Sequence, residues 1–366
     1  MRFPHQPGSI AGTMIRVTDL ARANVFWRAV LQPLGFGRVA GGPDHTLWAR
    51  EDAQILMYQH PEPTTNCRIW LRAPSREAVD RLYRQALAES WPVQEPPAER
   101  PFGPGYYSFI VTDPDGICVE LIHAWTDLPE RADGERVRVP GEDGVMLGGY
   151  LFRPPTAQTI ARPPGVIVLH GFGGNATSTV PIGQKLAEAG FLALCLSLRG
   201  WLGSTGEEDQ GFRQPDDIVS AADWLREQAR SVALLGLSQG GQVALLAASR
   251  SGAPSFACAV AFYPPTDTAA WREETQNTGV VDYLYDFVPT ERFAAISPIT
   301  VANRISCPTL ILHGENDINI PLRHSRRMAD ANPAVRLHVV AGAGHGFAAD
   351  GDAVWPETLA FLHAHC

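Results

Sequence analysis

The chain has 366 residues, a formal net charge of −9, 45% hydrophobic residues and 19% charged residues. At about 100–200 residues per domain, this length predicts two domains, each able to bury its own core. The acidic balance and the absence of a long basic run argue against nucleic acid and anionic membrane as main partners, and no apolar stretch approaches a membrane-spanning length. The N-terminus shows no apolar signal-peptide core, and the six cysteines are scattered without CxxC spacing. This reads as a cytoplasmic protein with reduced thiols. The tail His363, His365 and Cys366 is expected to be a frayed helix end rather than a metal site.

Residues 1–127 contain two similar halves. The first opens with a strand, Ile10 to Val17, after which Asp19 caps a helix from Leu20 to Leu31 with Val25, Phe26, Val30 and Leu31 at helical spacing. Short strands follow near Thr46 to Ala49 and Gln54 to Tyr58. The second half repeats this order. Arg68 to Arg72 is a strand, Ser75 caps a helix carrying Val79, Leu82 and Leu87, and Tyr106 to Val111 and Ile117 to Ile122 are strands joined by an Asp113-Pro114-Asp115-Gly116 turn. A repeated supersecondary unit predicts that the two copies share one core. Trp27, Trp48, Trp70, Tyr106 and Tyr107 read mostly as packing residues.

The stretches VTDLARANVFWRAVLQPLGF, LRAPSREAVDRLYRQALAES and PGYYSFIVTDPDGICVELI resemble the vicinal oxygen chelate superfamily, which includes glyoxalases, bleomycin-resistance proteins and extradiol dioxygenases. The resemblance implies an α+β domain of paired βαβββ units curved around a cleft. In its metal-using members, ligands come from the first strand of each unit and from later strands. Here those early positions fall near Gly12 or Thr13 and near Arg68, leaving Glu120 as the one ligand-like residue. One carboxylate does not hold a divalent cation against water, so no metal or other cofactor is expected. Residues 128–134, polar with Pro129 and Gly134, read as a linker.

Residues 135–366 open with a hairpin around Gly141 to Gly144 and then alternate apolar strands with helices. The strands are Gly165 to Leu169, Phe191 to Leu196, Val232 to Leu235, Ala257 to Phe262, Thr309 to His313 and Val335 to Val340. The helices are Ile182 to Ala189, Ile218 to Gln228, Gln242 to Ser249, His324 to Ala331 and Ala353 to His363. This pattern predicts an α/β fold with a mostly parallel sheet covered on both faces, its ligand site at the carboxyl ends of the strands. The run Gly236-Leu237-Ser238-Gln239-Gly240 joins a strand to a helix by a sharp turn, the context of a nucleophile elbow.

Asp317 and His345 also follow strands, which places a hydroxyl, a carboxylate and an imidazole in the order Ser, Asp, His. A serine hydroxyl needs a base, an imidazole titrates near neutrality, and a carboxylate fixes its tautomer. Singly, Asp317 reads as a turn residue and His345 as a loop histidine; Asp267 is a rival acid. The glycine-rich turn His170-Gly171-Phe172-Gly173-Gly174 offers the Phe172 N–H, with that of Gln239, as an oxyanion hole, while His170 itself reads as structural. An insertion at about 263–298 reads as a small cap. Trp271, Tyr283, Tyr285 and Phe287 within it, and Trp201 outside it, are candidates to line a substrate pocket.

The motifs VIVLHGFGG, LSLRGWLGSTG, LLGLSQGG, ISPITVANRISCPTLILHGENDINIP and GAGHGF resemble the α/β-hydrolase superfamily, in its dienelactone-hydrolase and prolyl-oligopeptidase-like branch. The resemblance implies the Ser238, Asp317, His345 triad. Dienelactone hydrolases carry cysteine where this chain has Ser238, and oligopeptidases carry a β-propeller that has no counterpart here. Both departures point to a serine esterase acting on a small-molecule carboxylic ester. The N-terminal domain is then an accessory that shapes the entrance or forms homodimer contacts. The rival readings are a metal-dependent glyoxalase or dioxygenase, and a resistance-type protein that binds a small molecule through that domain.

Overall fold

The structure, a computed structural model, describes residues 12–50, 53–100, 107–123, 128–155, 161–250, 256–277, 280–281, 284, 288–347 and 351–366. The chain divides into two compact units, Met1–Thr126 and Asp127–Cys366.

In the first unit, the first half comprises β1 (Gly12–Val17), α1 (Leu20–Leu31), β2 (Gly37–Gly41), β3 (His45–Arg50) and β4 (Ala53–Gln59). The second comprises β5 (Arg68–Arg72), α2 (Arg76–Ala88), β6 (Val93–Glu99), β7 (Tyr107–Thr112) and β8 (Cys118–His123). Asp19 and Ser75 each accept a backbone N–H of the helix they precede, from Arg22 at 3.0 Å and Ala78 at 3.1 Å. These caps satisfy amides that have no partner inside the helix. The two sheets have the same order, β1-β4-β3-β2 and β5-β8-β7-β6. In each, the first strand runs parallel to the last. The sheets share one core, in which Ile15, Val17, Phe26 and Trp27 meet Ile69, Leu71, Val79, Phe109 and Leu121. The Asp113 carboxylate of the second half accepts the Trp27 indole N–H of the first at 3.1 Å and the Ile117 N–H of its own turn at 2.8 Å. Trp27 and Trp48 are core residues, whereas Trp70 is 63% exposed and is not a packing residue of this unit.

The second unit holds an eight-stranded sheet in the order β16-β15-β14-β13-β11-β12-β10-β9. Its strands are β9 (Glu135–Pro140), β10 (Met146–Phe152), β11 (Gly165–Leu169), β12 (Leu192–Leu196), β13 (Val232–Leu237), β14 (Ala259–Phe262), β15 (Thr309–Gly314) and β16 (Val335–Val340). β10 runs antiparallel to both its neighbours, β9 and β12, and every other neighbouring pair is parallel. Its helices are α3 (Val180–Glu188), α4 (Gln214–Arg226), α5 (Gln239–Ala248), α6 (Thr268–Glu274), α7 (Arg323–Ala331) and α8 (Trp355–His365).

Continuous apolar strands follow from burial on both sides. Ile167, Leu169 and Leu234 point into one core. Their neighbours Val166, Val168 and Leu235 point into the other. The stretch read as a linker is packed on this unit: Leu128 is buried, and the Pro129 carbonyl accepts the Tyr150 hydroxyl at 2.8 Å. After β12, Arg199 holds Asp217 of α4 through two bonds of 2.6 Å, both side chains buried, which fixes the loop carrying Trp201. The expected frayed tail is instead helical to His365, with the rings of His363 and His365 packed on Phe191 and Phe361. The insertion after β14 has a small core of its own, Leu284, Val288, Phe293 and Ile296.

Candidate active site

The turn from β13 into α5 is tight because two glycines let backbone touch backbone. A Cβ on Gly236 would lie 2.1 Å from the Gly240 carbonyl oxygen, and one on Gly240 would lie 2.4 Å from that of Leu169. Between them Ser238 adopts φ 51°, ψ −116°, a conformation that L-residues avoid at a cost of about 1–3 kcal/mol. Its N–H donates to the Phe262 carbonyl at 2.9 Å, and its own carbonyl receives the Gln242 N–H at 3.1 Å, opening the helix. Strand β14 ends beside it. The next residue, Tyr263, is also at positive φ (39°). The Tyr263 ring lies 4.4 Å from the His345 ring and 4.9 Å from that of Phe347.

Asp317 follows β15 and His345 follows β16. The Asp317 Oδ1 accepts the N–H groups of Asn319 (2.9 Å) and Ile320 (2.8 Å), while Oδ2 receives Nδ1 of His345 at 2.7 Å. Burial alone would raise the Asp317 carboxyl. Hydrogen bonds from His313 and His345, the charge of His345 and the Ile320 N–H outweigh it and hold the group below the usual carboxylate range. The carboxylate therefore keeps the proton of His345 on Nδ1 and leaves Nε2 as an acceptor. His313 completes the setting from within β15. Fully buried, it bonds Ser325 Oγ at 2.6 Å through Nδ1 and the Ile320 carbonyl at 2.7 Å through Nε2, with Asp317 Oδ2 at 3.4 Å. The rival acid, Asp267, is engaged elsewhere: its side chain accepts the Ala270 N–H at 3.0 Å and caps α6.

The two proposed oxyanion donors flank Ser238. Gln239 is the first residue of α5, where helix amides lack partners within the helix. A Cβ on Gly171 would lie 3.4 Å from Ser238 Cβ, so the Phe172 loop borders the serine. Gln239 Nε2 donates to Glu208 at 2.9 Å, tying the loop after β12 to the first turn of α5. The Trp201 ring stands edge-on to Phe172 at 5.5 Å, and its buried N–H has no hydrogen-bond partner among the described residues. His170 is buried, receives the Leu198 N–H on Nε2 at 3.0 Å and pairs Nδ1 with the Gly171 carbonyl at 2.8 Å.

The structure thus joins Asp317 to His345 by a hydrogen bond and brings Ser238 to the same rim through Phe262 and Tyr263. Trp201 stands beside Phe172. Trp271 is turned to the cap, packed on its small core with its indole N–H donated to the Asn319 carbonyl at 2.7 Å. Tyr283, Tyr285 and Phe287 lie outside the described residues. Reading the residues alone passed over His313 and Tyr263. A histidine ending an apolar strand four residues before Asp317 is a usable signal for the first. Nothing in Tyr263-Pro264-Pro265 announces the second.

In the first unit, Glu120 is buried and fully engaged by its own sheet. It accepts the Trp70 indole N–H at 2.8 Å and the Ser108 hydroxyl at 3.0 Å, with the Arg68 guanidinium 3.5 Å away. A guanidinium beside the one carboxylate repels a cation, so these residues do not fit a metal. Among the described residues of the chain, no three His, Cys, Asp or Glu side chains group as ligands.

A strained serine at the carboxyl edge of a parallel sheet, with a carboxylate-bound histidine on the same edge, defines a hydrolase of the α/β-hydrolase type. The dienelactone hydrolase family model matches residues 147–361, and the chain belongs to that family. Residues 9–121 match the glyoxalase, bleomycin resistance protein and dioxygenase superfamily. The uncharacterized peptidase YtmA of Bacillus subtilis is 28% identical over 194 residues, which cover 50% of this chain and 73% of that protein. A thermostable monoacylglycerol lipase of a Bacillus species is 24% identical over 185 residues, covering 43% and 72% respectively. Among solved structures, a puromycin-hydrolyzing peptidase of Mycobacterium tuberculosis aligns with a TM-score of 0.55 at 24% identity, over 72% of this chain and 44% of its own.

Proposed function

We propose that the protein is a serine esterase that cleaves small carboxylic esters through an acyl-enzyme. The Ser238 Oγ attacks the ester carbonyl carbon while its proton passes to Nε2 of His345. The oxyanion formed is faced by the N–H groups of Phe172 and Gln239, each worth about 2.7–4 kcal/mol of transition-state stabilisation. His345 then returns the proton to the departing alcohol, and a water repeats the sequence to release the acid. Asp317 holds the ring and balances its charge. The observation that carries this reading is the 2.7 Å bond from His345 to Asp317 on the rim occupied by the strained Ser238.

Ser238→Ala should abolish hydrolysis of p-nitrophenyl acetate and labelling by a fluorophosphonate, with the chain still folded by circular dichroism. Labelling that persists in Ser238→Ala refutes the assignment. An aminoacyl p-nitroanilide run beside the ester separates an esterase from a peptidase. We assign no step to the first unit, so a chelator should leave the ester rate unchanged.

A further inference from the structure

We infer that Cys258 and Cys366 form an oxidisable dithiol, which a hydroperoxide closes into a disulfide between the start of β14 and the end of α8. The two sulfurs lie 3.8 Å apart. Cys258 is fully buried immediately before β14, and Cys366 is half-buried immediately after α8. The outer partner is held in place. The Cys366 N–H donates to the Leu362 carbonyl at 2.9 Å, and its carbonyl receives the Ser231 hydroxyl at 3.1 Å and two N–H groups of Arg230 at 3.3 Å. The sulfurs are about 2 Å short of disulfide bonding distance.

A half-buried thiol with a resolving thiol behind it is an arrangement that peroxide-sensitive cysteines use. The contact with Cys258 draws the Cys366 thiol below its ordinary range; burial opposes this and the Arg230 guanidinium assists it. Cys195 contrasts with it: sealed in the core with its sulfur 3.3 Å from the Thr179 carbonyl, its thiol is pushed up by burial to about 12.

The chemistry balances in two steps. The Cys366 thiolate attacks the outer oxygen of the hydroperoxide. The O–O bond breaks, and the alkoxide leaves and takes a proton, giving an alcohol and a sulfenic acid on Cys366. The Cys258 sulfur then attacks the Cys366 sulfur, the S–S bond forms, and the hydroxide leaves with the Cys258 proton as water. The dithiol loses two electrons and the peroxide gains them; an external dithiol, itself oxidised to a disulfide, returns Cys258 and Cys366 to thiols. The pair sits at the amino end of β14, the opposite edge of the sheet from Ser238, so the inference is independent of the hydrolytic reading.

The test uses the full chain, reduced and then exposed to tert-butyl hydroperoxide. Two of the six free thiols should be lost first, the mass should fall by two hydrogens, and a peptide linking Cys258 to Cys366 should appear and vanish with dithiothreitol. Cys366→Ser should remove the early thiol loss. Cys258→Ser, or Cys258→Ala should the first fail to fold, should leave a Cys366 sulfenic acid that dimedone traps. Oxidation of Cys366 to its sulfinic acid in the native chain without any linked peptide overturns the inference. So does early thiol loss that is unchanged in Cys366→Ser.

Discussion

Replacing Asp317 by asparagine should halt hydrolysis by inverting the tautomer of His345. In the native site Oδ1 is claimed by the N–H groups of Asn319 and Ile320, and Oδ2 alone faces Nδ1 of His345, at 2.7 Å. An asparagine must keep its oxygen toward those two backbone donors, so its amide NH2 turns to His345. Nδ1 then has to accept, the ring proton moves to Nε2, and the base that should take the Ser238 proton is blocked. An equivalent exchange in a triad costs about 10⁴-fold in kcat, about 5 kcal/mol of barrier. Asp317→Ala removes the carboxylate without enforcing the wrong tautomer, so it should retain more activity than Asp317→Asn despite leaving two backbone donors unmet. Steady-state hydrolysis of p-nitrophenyl acetate and the rate of fluorophosphonate labelling measure both variants. An Asp317→Asn enzyme within tenfold of the native kcat, or one more active than Asp317→Ala, refutes the tautomer argument.

Three further outcomes follow from the same geometry. Tyr263→Ala should free the His345 ring and lower kcat by about 10–100-fold with little change in KM; Tyr263→Gly, relieved of its positive φ, should unfold at higher urea than Tyr263→Ala. Burial, partly opposed by the Gly171 carbonyl, pushes the His170 imidazole from 6.5 down to about 4, so between those values the unfolded chain takes a proton that the folded chain refuses. His170 therefore contributes a loss of about 3 kcal/mol of stability as pH drops through that window. His170→Gln should flatten this part of the urea-midpoint profile, and an unchanged slope counts against it. Gly240→Ala would push a methyl into the Leu169 and His170 carbonyls, at 2.4 and 2.5 Å, and should cost about 1–3 kcal/mol in urea unfolding together with most of the labelling rate.

What could be read from the residues follows from burial. Strands β11 and β16 lie where the apolar runs put them, and α1 starts where Asp19 says it should. The edge strands β2 and β6 went unread. One is short and bounded by glycines, and the other carries Pro96 and Pro97, with a shifted register against β7 that edge pairing tolerates. Helix α4 begins at Gln214, earlier than its apolar spacing shows, because Pro215 opens it and Asp217 is drawn inward by Arg199, a partner distant in sequence. The residues of the rim divide in the same way. Ser238, Asp317 and His345 stand out in the sequence because each follows a strand in a glycine-marked turn. The supports of Asp317 come from side chains and carbonyls that only the folded sheet assembles, as with Ser325 and Ile320 around His313.

The bond between Trp27 and Asp113 has a consequence for how the N-terminal unit holds together. Each repeat lends the other a group it cannot replace: one supplies a fully enclosed indole, the other the carboxylate that also shapes its own turn. A fragment cut between the repeats would strand that indole without its acceptor and bare half of a joint interior. Neither repeat is then a minimal module, and the pair should melt as a single step rather than in sequence.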